Sequence, residues 1–292
     1  MTNFTVCLTP DLLLVNKREL ATRLKFAAAE FSIQTNDIAR ALANAIVAQA
    51  FFQAADELGV SGYLKGGSGQ IWRFGFLGTR ETRDVDLVLQ SDRRDAEKIF
   101  DAMVGLTLGN FEIFQIKISG DRTSGKVPGD YRILVAKVQI RVDGSPWLTC
   151  DLEILPLENM SIVKKEHASV EVERLLTLAG LEGICELPLI SIELQLAEKL
   201  HALTEPGSTR AGDLYDIAFV LERVQVDLNL LKRETTRVFA RRGTHSLDSG
   251  WSPHSELRLG FLGFSDLMTF EQSTLAVQGL LLKLGEGAGL PD

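Results

Sequence analysis

Two aspartates one residue apart, Asp84 and Asp86, stand in the run Arg80-Glu81-Thr82-Arg83-Asp84-Val85-Asp86-Leu87. On a strand, residues i and i+2 project from one face, about 6.6 Å apart along the chain. Two acids on one face repel unless a cation sits between them. A magnesium- or manganese-dependent phosphoryl-transfer site needs this arrangement, because its metal ions clamp the attacking and leaving oxygens. Upstream lies Lys65-Gly66-Gly67-Ser68. Consecutive glycines let the backbone approach a phosphate closely and present N–H groups to it. Each half is weak alone, since glycines also make flexible connections and D-x-D is more often a solvated strand face. Glycine turn, short helix and acidic strand, in that order, are the signature of a nucleotidyltransferase core.

A third carboxylate should come from a neighbouring strand. In 147–154, Asp151 and Glu153 share one face while Cys150, Leu152 and Ile154 take the other. Either acid could complete a metal site with Asp84 and Asp86, and metal geometry requires them to converge; the alternative is a polar face turned to water.

Further along, Lys199 borders the apolar stripe of a predicted helix, where its ammonium could reach a triphosphate as a point charge. Asp213 and Asp216 are i and i+3, hence neighbours on a helix surface. They could orient Lys199, act as a base, or favour the helix N-terminus through its dipole. His201 reads as a structural histidine. Residues 120–126 imitate a P-loop, G-x-x-x-x-G-K, but Val127 supplies no hydroxyl for magnesium and Pro128-Gly129 prevents the helix that should cradle phosphate. A basic hairpin tip is the better reading there.

These residues need elements to position them. Apolar spacing predicts helices over 17–31 and 36–58, with Asn36 as an N-cap. Five glycines in 59–69 break that pattern. Strand signals follow at 84–89, a helix at 93–104, and a meander at 111–118, 131–142 and 147–154 with a turn at 143–146. In the middle strand of the meander, Leu134, Ala136, Val138 and Ile140 alternate with Lys137, Gln139 and Arg141, giving one apolar and one basic face. After Pro156 the period returns to helical, with stripes at 191–203 and 213–221 and an apolar tail at 264–284. The expected fold is α+β: N-terminal helices and a small mixed sheet with flanking helices over 1–160, then a helical domain over 161–292.

Composition bounds the class. With 292 residues, 45% hydrophobic and 24% charged, the chain matches an ordinary globular protein rather than a disordered one. The longest apolar stretch, 42–55, is interrupted by Asn44, Gln49 and Gln53, and no run approaches the roughly 18 residues of a membrane span. No basic residues precede an apolar core at the N-terminus, so a soluble, cytoplasmic protein is expected. Three dispersed cysteines and four histidines give neither a disulfide framework nor a metal spacing. A net charge of −8 argues against an unguided nucleic-acid coat. Between Gln115 and Val142, however, six Lys or Arg face two Asp. Lys137 and Arg141, with Lys117 and Arg132 nearby, offer a place for an RNA backbone to lie, with binding that falls as salt rises.

The order Lys65-Gly66-Gly67-Ser68, Arg80-x-Thr82-x-Asp84-x-Asp86, Lys199-x-x-Ala202-Leu203 and Arg210-x-x-Asp213-x-x-Asp216 resembles the AbiEii/AbiGii toxin family of nucleotidyltransferase-like proteins from bacterial toxin–antitoxin and phage-defence systems. The match spans roughly residues 58–221. The resemblance implies a polymerase-β-like nucleotidyltransferase core followed by a helical domain. It implies that Gly66, Gly67 and Ser68 hold the triphosphate of an NTP, that Asp84 and Asp86 bind magnesium or manganese, with Asp151 or Glu153 the third ligand by the strand reading above, and that Lys199 contacts the nucleotide. Asp213 would be the base or orienting acid, the acceptor an RNA such as tRNA, and a cognate antitoxin a partner. Transfer to a small molecule, and a catalytically inactive binding member of the fold, are the alternatives.

Overall fold

A computed structural model describes residues 15–122, 132–157, 163–248, 250–262, 264 and 268–285. The described chain forms two compact units. The first holds residues up to Leu77, those from Glu81 onward, and the chain as far as Ile190; the second holds Gly78–Arg80 and everything from Ser191. The imitation P-loop at 120–126 extends beyond the described residues.

The first unit begins with α1 (Lys17–Phe31), whose N-cap Asn16 accepts from the Glu19 N–H, and α2 (Thr35–Glu57). The cap of α2 is Gln34, without a side-chain bond, and Asn36 lies inside the first turn, so the expected asparagine cap does not form. By length and composition α2 is apolar enough to cross a membrane. Ile38, Leu42, Ile46, Val47 and Phe51 are instead wholly buried inside the unit, and a helix that is hydrophobic all round is what a core requires.

Next come β1 (Gly62–Lys65), α3 (Gly66–Phe74), β2 (Asp84–Leu89) and α4 (Arg93–Met103). The meander is β3 (Thr107–Leu108), β4 (Phe111–Arg122), β5 (Ile133–Val142) and β6 (Ser145–Pro156). Asp143 and Gly144 alone join β5 to β6, with φ of 48° and 69°. Two successive left-handed residues make the tight turn whose twist matches a hairpin, so Ser145 and Pro146 belong to the strand and not to the turn.

Two further strands, β7 (Val163–His167) and β8 (Glu186–Ile190), flank α5 (Val170–Leu178). This corrects the helical reading after Pro156. Each has five residues, and β7 carries two lysines, a glutamate and a histidine; neither is long enough to display a period.

The eight strands run β3-β4-β5-β6-β2-β1-β8-β7. Pairs β2/β6 and β1/β8 are parallel, and the others are antiparallel. Alternation divides the sheet into two faces. Val85 and Leu87 of β2, Leu134, Ala136, Val138 and Ile140 of β5, and Cys150, Leu152 and Ile154 of β6 share one core with α1, α2 and α4. Burying each aliphatic chain contributes about 1.5–3 kcal/mol, so this side fixes the register of every central strand. The intervening residues must then take the other face.

Arg73 near the end of α3 ties that helix to the far strands. Its guanidinium bonds both carboxylate oxygens of Glu166 at 2.6 Å and also reaches the Ile190 carbonyl. Trp72 Nε1 donates to the Glu166 carbonyl at 3.0 Å. The start of α3 is thereby held beside β1 and β2.

The second unit is helical: α6 (Ile192–Thr204), α7 (Ala211–Arg223), α8 (Leu228–Arg242), α9 (Ser255–Phe261) and α10 (Phe270–Gly285). Ser191 and Asp227 cap α6 and α8 through side-chain oxygens. Helix α6 packs on α7 and α8, and α7 on α9 and α10. The stripes expected at 191–203 and 213–221 are α6 and α7; of the apolar tail, Phe270–Gly285 forms α10, and 265–267 lie outside the described residues.

Candidate functional site

The core-facing alternation of β2 sends Asp84 and Asp86 to the opposite face, and both are partly buried. Strand β6 runs parallel beside it with Asp84 opposite Asp151 and Asp86 opposite Glu153. Residues directly opposite on paired strands point the same way, about 4.8 Å apart. Four carboxylates therefore occupy one patch of one face, and a one-residue slip of either strand would send its two acids into the apolar core.

They do not yet enclose a common point. Among the described residues no three carboxylate, histidine or cysteine groups are gathered closely enough to hold a metal ion. One of the acids has a cation of its own: Asp151 Oδ1 accepts from Lys137 Nζ at 2.6 Å across the β5/β6 pair. Glu153 is the more buried of the two candidates for a third ligand, at 8% exposure.

The glycine turn lies against this patch. Lys65, the last residue of β1, pairs with Asp86. The chain then turns into α3 through Gly66 at φ +64°. A Cβ on Gly66 would stand 2.0 Å from Asp86 Oδ2, and one on Gly67 would stand 2.7 Å from Thr82 Oγ1. Both glycines are required by close approach, one to the acid and one to the segment that leads into β2.

Ser68 does not offer its hydroxyl to the patch. It is 8% exposed; its Oγ accepts from Asn44 Nδ2 at 3.3 Å and donates to the Asp84 main-chain carbonyl at 2.9 Å. From sequence, Thr82 stood only as one position of the motif before β2, and Asn44 had no role assigned. Asn44 breaks the apolar stretch of α2, which was its one visible signal.

The four cations expected to carry RNA divide into separate settings. Lys117 and Lys137 are cross-strand partners on β4 and β5. Arg141 lies over the ring of Phe114, 3.0 Å from its centroid. Phe114 is itself placed outward where the β4/β5 register shifts between Ile113 and Gln115. Arg132 is exposed just ahead of β5.

In the second unit, Lys199 is 7% exposed and buried against α7. Its Nζ donates to Asp213 Oδ1 at 2.9 Å and Asp216 Oδ2 at 2.6 Å. Arg80 Nε also donates to Asp216 Oδ2 at 2.9 Å, and Tyr215 Oη to the Gly78 carbonyl at 2.6 Å. A Cβ on Gly212 would meet Arg80 Nε at 3.1 Å, so the small residue admits the guanidinium. Arg80, far away in sequence, belongs to the same unit as α7 and is joined to Asp216 by this ion pair.

Burial acts first to lower the Lys199 pKa, but the charges of Asp213 and Asp216 outweigh it and hold the ammonium above its ordinary 10.5. Burial likewise works to raise Asp213, and Lys199 overrides it, holding that carboxyl below 3.8. Both groups are ionised at neutral pH. His201 is a packed histidine: Nε2 lies 3.0 Å from Thr244 Oγ1 and the ring meets Phe239 edge-on. Burial, followed by Arg242, pushes its pKa down to about 4.

A protein-family profile described as "Nucleotidyl transferase AbiEii toxin, Type IV TA system" matches residues 19–283. Among solved structures, the chain is similar to MenT4, a nucleotidyltransferase toxin from Mycobacterium tuberculosis, with a TM-score of 0.64 and 18% identity over 91% of this chain and 90% of that one. It is also similar to JHP933 from Helicobacter pylori, with a TM-score of 0.47 and 17% identity over 84% of this chain and 92% of that one. No curated protein sequence matches significantly.

Two outcomes test this geometry. Gly66→Ala is expected to lose about 1–2 kcal/mol from left-handed backbone strain alone, and more from the displaced Asp86 carboxylate. A variant as stable as its parent in urea denaturation would contradict the tight fit. Lys199→Met leaves two buried carboxylates with only the partly exposed Arg80 and the exposed Arg210 beside them, and the expected cost at neutral pH is about 3–5 kcal/mol. The Asp213 contribution is full above its unfolded pKa and is lost as pH falls through the depressed folded value. The Lys199 contribution is full below its unfolded pKa and is lost as pH rises through the raised one. Equal unfolding midpoints for variant and parent at pH 7 would show that the pair contributes no stability.

Proposed function

Because the chain belongs to the AbiEii nucleotidyltransferase toxin family, we propose that it moves a nucleoside monophosphate from an NTP to the 3′ end of an RNA, with tRNA as the acceptor. The observation that carries this reading is the parallel register of β2 and β6, which stacks Asp84, Asp86, Asp151 and Glu153 on one face beside the Gly66-Gly67 turn. In the reaction the acceptor hydroxyl oxygen bonds the α-phosphorus, pyrophosphate leaves, and the hydroxyl proton passes to solvent.

The donor set fits a hard divalent cation, since it consists of carboxylate oxygens only. Asp84 and Asp86 would hold it, with Asp151 or Glu153 from the same face of β6 as third ligand. Magnesium or manganese bound there would polarise the phosphate oxygens and stabilise the charge that develops in transfer. The chain's own groups do the rest. The Gly66-Gly67 turn, at the N-terminus of α3, presents main-chain N–H groups and a positive helix end to the phosphates. Asp86, wedged against Gly66, sets the distance between phosphate turn and metal site.

Lys199 keeps the role of nucleotide contact and Asp213 that of the acid that orients it. The orienting half is supported by the 2.9 Å bond between them, the contact half by the family alone. Lys117 and Lys137 are the proposed phosphate contacts of the RNA, joined by Arg132, and Arg141 with Phe114 offers a stacked edge beside them. Inhibition of growth is the proposed outcome, a cognate antitoxin the proposed partner, and the cytoplasm, where tRNA and NTPs are found, the proposed location.

The test is transfer of label from each NTP to total tRNA with magnesium. Asp86→Asn is expected to reduce the rate about 10³-fold or more while keeping the fold, because the metal clamp contributes several kcal/mol. A variant that transfers label at the wild-type rate, or a wild-type protein that transfers none of the four nucleotides, overturns the reading.

A further inference from the structure

Asn44 is 3% exposed on α2, a helix whose other buried positions are mostly apolar. Its Nδ2 donates to Ser68 Oγ, and that oxygen donates to the Asp84 carbonyl. A hydroxyl has one proton to give and lone pairs to accept with. With the Ser68 proton committed to Asp84, the amide of Asn44 must present its nitrogen, so its orientation follows from the chain of bonds. Oδ1 of Asn44 then has no hydrogen-bond partner among the described residues. The residue borders a small cavity walled by Ala41, Leu64, Ile71 and Trp72. A leucine there would satisfy the packing without burying an unpaired acceptor, which costs free energy. Packing gives no reason for an amide at this place; the bond to Ser68 does.

Thr82 points to the same destination. Its Oγ1 reaches the Asp84 carbonyl at 3.4 Å, and Gly67 leaves it room to do so. Side chains from α3 and from the segment before β2 thus meet at one carbonyl, with α2 supporting the shorter of the two bonds.

We infer that Asn44 and Ser68 are positioning residues for Asp84, forming a buried relay from α2 through α3 to the first residue of β2. The relay fixes where the Asp84 carboxylate leaves the strand. It rests on the proposed nucleotidyl transfer at this face, and it changes the role of one residue there. Ser68 holds the carboxylate strand, and the phosphates meet the main chain of the glycine turn instead of the Ser68 hydroxyl.

The experiment compares Ser68→Ala, Asn44→Leu and the double variant in steady-state transfer of label, with backbone hydrogen exchange of the same proteins. A positioning relay misplaces Asp84 when cut, and kcat is expected to fall about 10–100-fold with KM for the NTP unchanged within about twofold. The double variant should be no slower than the slower single one, because both cut the same relay. Exchange of the Val85 and Asp86 amides should quicken in all three variants relative to the rest of the sheet. If Ser68 contacts phosphate instead, Ser68→Ala raises KM while Asn44→Leu leaves both constants alone, and the inference is wrong. Should the wild-type protein transfer nothing, the proposed function falls and hydrogen exchange alone decides: protection of β2 unchanged in Asn44→Leu overturns the relay.

Discussion

The first unit depends on the parallel pairing of β2 with β6. Each strand has a face that belongs to the core, with Val85 and Leu87 on one and Cys150, Leu152 and Ile154 on the other, all essentially without exposure. Apolar burial on that side determines how the strands align, and their alternation then leaves Asp84, Asp86, Asp151 and Glu153 together on the far side. The acids repel one another, so nothing in their own interactions would assemble the patch. It exists because hydrophobic packing on the other face is worth more than the repulsion, as expected when each buried side chain contributes about 1.5–3 kcal/mol.

Around that constraint the neighbouring elements are fitted with little slack. Gly66 turns in a left-handed conformation so that Asp86 can lie against it, and Gly67 makes way for Thr82. Ser68 bonds the head of β2 from inside α3. The other end of α3 is anchored by Arg73 and Trp72 to β7 and β8. In the second unit the counterpart is electrostatic. Buried Lys199, Asp213 and Asp216 satisfy one another's charge, partly exposed Arg80 joins them at Asp216, and the Tyr215 hydroxyl adds a bond to Gly78. Removing any one of these charges leaves another uncompensated, which is why such networks resist change.

Much of this was legible in the residues. Strong alternation in 134–141 and the stripes of α1, α2, α6 and α7 set the elements, and D-x-D on a strand placed its acids on one face. The motif order also identified the family. The sequence could not show that Lys137 pairs with Asp151, because a cross-strand partner depends on register, and register is a property of the sheet. Strands β7 and β8 were missed because five residues carry too little period. Asn44 looked like an interruption in an apolar helix, and Lys199 like an amphipathic border residue; both gain their meaning from partners 24 and 14 residues away.

The central claim is that the face shared by β2 and β6 takes up divalent cations through Asp84 and Asp86. The most direct measurement is a manganese titration followed by the electron paramagnetic resonance signal of the free ion. Wild-type protein is compared with the Asp84→Asn, Asp86→Asn double variant, each with a non-hydrolysable NTP analogue present. The expected result is depletion of the free-ion signal by the wild-type protein and none beyond that of the analogue alone by the variant. Equal depletion by both proteins would contradict the claim.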